Sequence, residues 1–429
     1  MIGRILALLA ALFLAAHAMR LGNGGAVGFW LLGAVLATVR APWSGWALGG
    51  LLGAGMVLWL EIAIQLVGLR LEQGQPWLRL AIILGAVAGL TGLAALLNGR
   101  RAWAAGGGKA WVQGAAFLLT VAGLALAREK SSLDIILADR FFPGSGWLAI
   151  FFLGCYAAWI GGKMVVPGQS ARWRRRIWAV FSGLFFLQLG LGLLGLEQFL
   201  MTGRLHLPVP ALILAGPLYR GEGFFMIILF ATTLLLVGPG WCSHLCYIGA
   251  WDNWSAQQQK RAGQLPAWRS RLRLGICAGV IGGAILLRYS GLSMSVALIL
   301  AAVFGLVGVV IMLTWSRRSG SMTHCTSYCP MGLLANIFGK INPWRIRMAS
   351  GCTQCGSCTL VCRYDAQTPL DIMGGKPGLS CTLCGDCISG CPHGQLAYTF
   401  PGLQAEHARL AFIVMVVSLH AIFLGVARL

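Results

Sequence analysis

The chain reads Cys352-Thr-Gln-Cys355-Gly-Ser-Cys358-Thr-Leu-Val-Cys362, continues for eighteen residues, and then reads Cys381-Thr-Leu-Cys384-Gly-Asp-Cys387-Ile-Ser-Gly-Cys391-Pro392. Both stretches are spaced C-x2-C-x2-C-x3-C, and together they hold eight of the fourteen cysteines. Each offers three thiolates from one tight loop and a fourth from the turn that follows. A cubane iron–sulfur cluster needs such spacing, because a short wrap of backbone must meet three of its corners. In two-cluster ferredoxins the fourth cysteine of each run serves the other cluster. The expectation is one [4Fe–4S] cluster on Cys352, Cys355, Cys358 and Cys391, and a second on Cys381, Cys384, Cys387 and Cys362. Gly356 and Gly385 suit backbone N–H groups turned toward cluster sulfurs. Zinc would leave the third close cysteine of each run unexplained. A disulfide framework belongs to oxidising compartments. The copies differ at one point: Pro392 follows Cys391, whereas Arg363 follows Cys362. That difference predicts a less rigid first loop, or a cation beside its cluster.

Around this stretch the composition is that of a membrane protein. Of the 429 residues, 58% are hydrophobic and only 10% are charged, against about 25% in a soluble domain. The net charge of +21 raises the question of nucleic acid. The cations fall between apolar runs and not in one patch, so no nucleic-acid partner is expected. Spans are expected near 5–19, 25–39, 47–69, 78–97, 111–127, 147–162, 177–200, 223–239, 274–289, 295–315 and 409–427, about eleven in all. The first run looks like a signal peptide, but it lacks a clear small-residue cleavage site and reads as an uncleaved helix.

Lys and Arg set the orientation. Lys163, Arg172, Arg174, Arg175 and Arg176 cluster on one side, as do Lys260, Arg261, Arg269, Arg271, Arg273, Arg317 and Arg318. The positive-inside rule makes that side cytoplasmic. The fold class is therefore an all-α integral membrane protein with a cytoplasmic, bacterial-type two-cluster ferredoxin segment before the last helix. Its expected parts are an N-terminal membrane region over 1–145, a membrane core over 146–348, the ferredoxin segment over 349–400 and a last helix over 401–429. The expected location is the bacterial cytoplasmic membrane.

Two further cysteine pairs match each other. Trp241-Cys242-Ser-His-Leu-Cys246-Tyr-Ile-Gly249 and His324-Cys325-Thr-Ser-Tyr-Cys329-Pro-Met-Gly332 both read C-x3-C-x2-G, each after an apolar run. Such a duplication suggests two related halves about a pseudo-symmetry axis. On a helix, residues i and i+4 point the same way. Facing pairs would supply four thiolates, Cys242, Cys246, Cys325 and Cys329, for a third iron–sulfur cluster or another metal. Redox-active thiols and structural cysteines are the other readings. Cys155 and Cys277 read as core residues. His244 and His324 adjoin the pairs and would either tune a metal there or sit at headgroup level.

At these residues the chain resembles the polyferredoxin membrane proteins of the NapH type, the MauN type and the C-terminal half of the NosR type. The resemblance covers roughly residues 145–400. It implies electron transfer between the quinone pool and a redox partner. Alternatively it implies an accessory role, supplying electrons or metal to a maturing periplasmic metalloenzyme. The chain departs from the pattern in three ways. Tyr247 stands where the first pair would carry its proline, about five extra N-terminal spans are present, and no C-x-x-C-H haem motif occurs.

The remaining polar residues are few. Glu61 and Gln65 share one face of the third span, and an intramembrane carboxylate is a candidate for quinone or proton work. A polar contact between helices weighs equally. His17 and His420 share a depth at which a b-type haem could be held, although a polar helix contact is the better reading. His206, beside a proline-rich apolar segment over 201–222, could take a proton from a quinol. A solvated loop histidine is the better reading there too. No acid–base dyad, nucleophile triad or phosphate loop stands out, so no hydrolase or kinase is expected.

Overall fold

The computed structural model describes residues 2–105, 107–200 and 207–426. Among them, nine helices are long and apolar enough to cross a membrane, and the shorter apolar helices Gly24–Leu36 and Phe225–Val237 accompany them. The protein is a multi-pass, mostly helical membrane protein. The described chain divides into two compact units: residues 2–165 together with 417–426, and residues 166–416.

In the first unit the helices meet through small residues. Along Pro42–Glu72, Gly45 lies against Ala102 and Asn98, and Gly49 against Ala95 and Gly99 of the neighbouring Leu78–Ala105 helix. Lipid supplies no hydrophobic drive between helices, so close backbone approach at small residues does that work. Asn98 Nδ2 donates to the Gly3 carbonyl at 2.7 Å and ties in the first helix, Ile2–Arg20. Asp139 is buried in the short helix Leu137–Phe141 that precedes Gly146–Met164. It accepts from Arg128 Nε at 2.7 Å and from the N–H groups of Gly144 and Gly146 at 3.0 and 2.9 Å.

The polar residues of this unit differ in their surroundings. Glu61 and Gln65 are exposed on one face of Pro42–Glu72, with Gln65 Nε2 and Glu61 Oε1 3.5 Å apart. His17 packs on the Trp59 ring at 5.2 Å. His420 is fully buried, and its Nε2 lies 3.0 Å from the Tyr156 hydroxyl. Cys155 packs beside the apolar core.

The second unit holds the ferredoxin segment and the helices that carry it. The helix expected over 177–200 runs instead from Pro167 to Leu193, with proline at its first turn, where a missing N–H costs nothing. The basic cluster at 172–176 therefore lies on a helix and not in a loop. Of the apolar segment over 201–222, Leu212–Arg220 is a helix, and Gly221 closes it at φ +77. His206 lies outside the described residues. The strand Arg345–Met348 pairs antiparallel with Leu396–Thr399 and closes the ferredoxin segment.

Breaking a buried ion pair by removing one partner costs about 3–5 kcal/mol. Asp139→Ala should accordingly lower the thermal midpoint of the detergent-solubilised protein clearly below that of a conservative surface change such as Glu129→Gln.

Candidate functional site

The two ferredoxin loops share one backbone path. The residue before the second cysteine is left-handed in each, Gln354 and Leu383, both at φ 55. The glycine after that cysteine is left-handed too, Gly356 at φ 74 and Gly385 at φ 78. Each glycine caps a short helix, Ser357–Val361 or Asp386–Ser389. Three residues past the fourth cysteine the pattern repeats, with Asp365 at φ 48 and Gly394 at φ 62. One residue later an N–H meets the fourth cysteine's sulfur: Ala366 N to Cys362 Sγ at 3.3 Å, and Gln395 N to Cys391 Sγ at 3.4 Å. A left-handed residue other than glycine costs about 1–2 kcal/mol. Such a cost persists only where the surroundings impose the conformation. Tyr398 does so for Leu383, donating its hydroxyl to the Leu383 carbonyl at 2.7 Å.

This wrap brings the cysteines together across the two runs. Cys352, Cys355, Cys358 and Cys391 line one cavity. Cys362 packs with Cys381 and Cys384 in one buried cluster. Cys387, also buried, lies near Cys384, Cys362 and Cys381. Among the described residues no three His, Cys, Asp or Glu side chains form a site for a single metal ion.

The two C-x3-C pairs also converge. Cys242, Cys246, Cys325 and Cys329 line a second cavity. The pairs do not lie on single helical faces, as i, i+4 spacing suggested. Cys242 sits in the short helix Gly240–His244, and Cys246 is the N-cap of Tyr247–Ala256. Cys325 sits in the π-helical turn His324–Tyr328, and Cys329 is the N-cap of Pro330–Phe338. The chain breaks helix inside each pair, so the second sulfur faces the free N–H groups of a new helix. Those groups are Ile248 and Gly249 for Cys246, and Met331 and Gly332 for Cys329. The two N-caps have nearly the same backbone, φ −82 and ψ 115 against φ −71 and ψ 117. In both motifs the glycine three residues on lies against the first cysteine's carbonyl, where a Cβ would come to 3.0 or 2.8 Å. The sequence duplication is thus a duplication of local structure.

Burial sets the state of these thiols. It pushes Cys381 up to about 11, Cys384 and Cys246 up to about 12, and Cys362, Cys387, Cys242 and Cys325 well above the ordinary thiol value. Such groups keep their protons at neutral pH unless a metal takes their place. Cys355 is the exception. It is exposed, and the Ser357 hydroxyl, 3.4 Å away, lowers it.

Neither His244 nor His324 lines the second cavity. His244 Nδ1 is engaged by Gly240 O and Ser243 Oγ. His324 packs on Tyr328 and faces Gly308, and burial pushes its imidazole down to about 4. Cys277 is buried away from the site.

Arginines fasten the ferredoxin loops to the helices of the same unit. Arg174, 1% exposed, pairs with Asp386 at 2.7 Å and donates to the Ser243 carbonyl. Arg269 pairs with Asp365 at 2.8 Å. Arg363 corrects the expectation of a looser first loop. Its guanidinium donates to the carbonyls of Ala256, Gly320 and Gln259 at 3.2, 2.6 and 2.8 Å and so stitches that loop to the core. None of these three roles was read from the sequence; the available signal was an arginine in place of proline after a fourth cysteine.

A family described as "4Fe-4S binding domain" matches residues 222–272. That stretch contains Cys242 and Cys246 and lies wholly before the ferredoxin loops. No curated protein and no solved structure matches the chain. The protein is a membrane iron–sulfur protein. The match therefore associates iron–sulfur binding with the first C-x3-C pair on grounds independent of the ferredoxin spacing.

The crossed grouping has a direct consequence. Cys391→Ser should remove the same low-temperature EPR signal as Cys352→Ser, and leave the signal lost in Cys384→Ser. Grouping by sequence run would make Cys391→Ser and Cys384→Ser alike.

Proposed function

We propose that this protein conducts electrons through three iron–sulfur centres at a membrane surface. Two would be [4Fe–4S] clusters, on Cys352, Cys355, Cys358 and Cys391 and on Cys362, Cys381, Cys384 and Cys387. The third would sit on Cys242, Cys246, Cys325 and Cys329. When bound, these clusters supply one-electron chemistry, and the protein positions and insulates them.

The observation that carries the reading is the contiguity of the second and third sets. Ser380 and Thr382, either side of Cys381, line the four-cysteine cavity, and so does Tyr364, two residues after Cys362. Asn336 Nδ2 donates to the Cys381 carbonyl at 3.2 Å, and Ser243 Oγ to the Thr382 carbonyl at 2.8 Å. Tyr364, Cys362, Cys325, Cys381 and Cys384 pack in one cluster with Trp178 and Met322. Tyr364, Trp178 and Met322, which pack there, are buried. The Cys352 set is the more exposed end, with Cys355 open to solvent.

The resemblance to the NapH, MauN and NosR types supports a conduit between the quinone pool and a redox partner in the bacterial cytoplasmic membrane. The distribution of cations supports a cytoplasmic ferredoxin segment. The accessory reading uses the same centres to supply electrons or metal during assembly of a periplasmic metalloenzyme.

Low-temperature EPR of the purified protein, reduced first with dithionite and then with a quinol analogue, tests this reading. A reduced signal that appears with quinol and is lost in Cys242→Ser or Cys325→Ser supports the quinone-linked conduit. Intact centres that ignore every quinol would favour the accessory role. Signals unaffected by either substitution would remove the third centre.

A further inference from the structure

Among the described residues the third site contains a cation with no ion-pair partner; the buried carboxylate nearby, Asp252, accepts from the Cys325 N–H at 2.9 Å instead. Arg273, on the Arg269–Tyr289 helix, is 5% exposed and lines the four-cysteine cavity. Its Nη2 donates to the Cys325 carbonyl at 3.1 Å and to Asn336 Oδ1 at 3.0 Å. Its Nε, also buried, has no hydrogen-bond partner. It enters none of the ion pairs among the described residues, which are made by Arg128, Arg174 and Arg269. Cys242, Cys325 and Cys329 line the same cavity.

The other buried arginine sharpens the point. Arg174 belongs to the helix that packs on the first C-x3-C motif, and Arg273 to the helix that packs on the second. Each donates to a carbonyl within its motif, Ser243 or Cys325. Arg174 is neutralised by Asp386, whereas Arg273 lines the cavity and, among the described residues, donates to two neutral oxygens. Gly332 keeps space for it, since a Cβ there would stand 2.8 Å from Arg273 Nη2. An isolated charge taken out of water costs several kcal/mol. It is retained where an opposite charge comes with the ligand. Neutral thiols supply none. Four thiolates around iron and sulfide do.

We propose that Arg273 is the counter-cation of a negatively charged iron–sulfur group held by Cys242, Cys246, Cys325 and Cys329, and that it raises the reduction potential of that group. The proposal rests on the third centre proposed above. One-electron reduction of such a group would add one negative charge to the site, the electron coming from a cluster held by Cys362, Cys381, Cys384 and Cys387, which would be oxidised in turn. No proton is needed, because Arg273 is already cationic in both states. Net cluster charge and local hydrogen bonding are among the factors that set such potentials. Arg273 is a tuning residue in this account, with its effect exerted through charge.

The test is an EPR-monitored redox titration, with iron content, of full-length wild type, Arg273→Gln and Arg273→Lys. Glutamine keeps a donor for Cys325 O and removes the charge; lysine keeps the charge. With iron content unchanged, Arg273→Gln should disfavour reduction of the third centre at least tenfold, a negative shift of about 59 mV or more for a one-electron couple. The centres of the ferredoxin segment should keep their potentials, and lysine should restore most of the shift. Equal potentials in all three proteins, with the third centre present, would overturn the role of Arg273. A wild type without that centre would overturn the underlying reading instead. If Arg273→Gln loses iron, the thermal midpoint of the iron-free full-length chain decides. An uncompensated cation predicts that removing the charge stabilises the iron-free form, and a lower midpoint than wild type would contradict the proposal.

Discussion

A guanidinium out of water must be paid for by acceptors, and four arginines impose that demand where the ferredoxin loops meet the helices of the same unit. Arg174 and Arg269 take carboxylates supplied by the loops, Asp386 and Asp365. Arg363 takes main-chain carbonyls from the core. These contacts fix the loop against the helices, so the second and third cysteine sets come to share one packed interior. Arg273 has no such carboxylate and opens onto the cavity. The site that needs a ligand and the charge that needs a partner are thus the same place.

The two ferredoxin loops and the two C-x3-C motifs solve one problem by different means. In the loops, left-handed residues at Gln354, Leu383, Gly356 and Gly385 turn the backbone around a centre. In the motifs, a helix stops and another starts at the second cysteine, which presents its sulfur to unsatisfied N–H groups. Partial positive charge at a helix start favours an anion, whether a thiolate alone or one bonded to a cluster. The repeated geometry at Cys246 and Cys329 suits a shared ligand better than two unrelated core cysteines.

Cysteine spacing made much of this legible. C-x2-C-x2-C-x3-C fixes which thiols can reach a common centre, and the crossed sets around Cys391 and Cys362 follow the spacing. Apolar run length placed the helices, since a span is set by membrane thickness. What escaped was long-range. Arg174 and Arg273 counted only as orientation signals, because a cation at a helix end looks the same whether it meets solvent or a buried carboxylate. The helix break inside each C-x3-C pair was hidden because i, i+4 spacing alone is compatible with one continuous helix. The strand Arg345–Met348 lay outside the expected segment because its partner is some fifty residues away. Left-handed Gln354 and Leu383 have side chains that do not ask for that conformation. Tertiary contacts impose it.

The central claim is that twelve cysteines form three four-thiolate sites, two in the ferredoxin segment and one on the helices beneath it. Native mass spectrometry of the intact protein, purified without oxygen and released gently from detergent, counts bound clusters directly. A mass excess equal to two [4Fe–4S] clusters and a third iron–sulfur group, falling to the two clusters in the Cys242→Ser/Cys325→Ser double variant, is the predicted result. A wild-type mass that corresponds to two clusters only, with the variant unchanged, would contradict it.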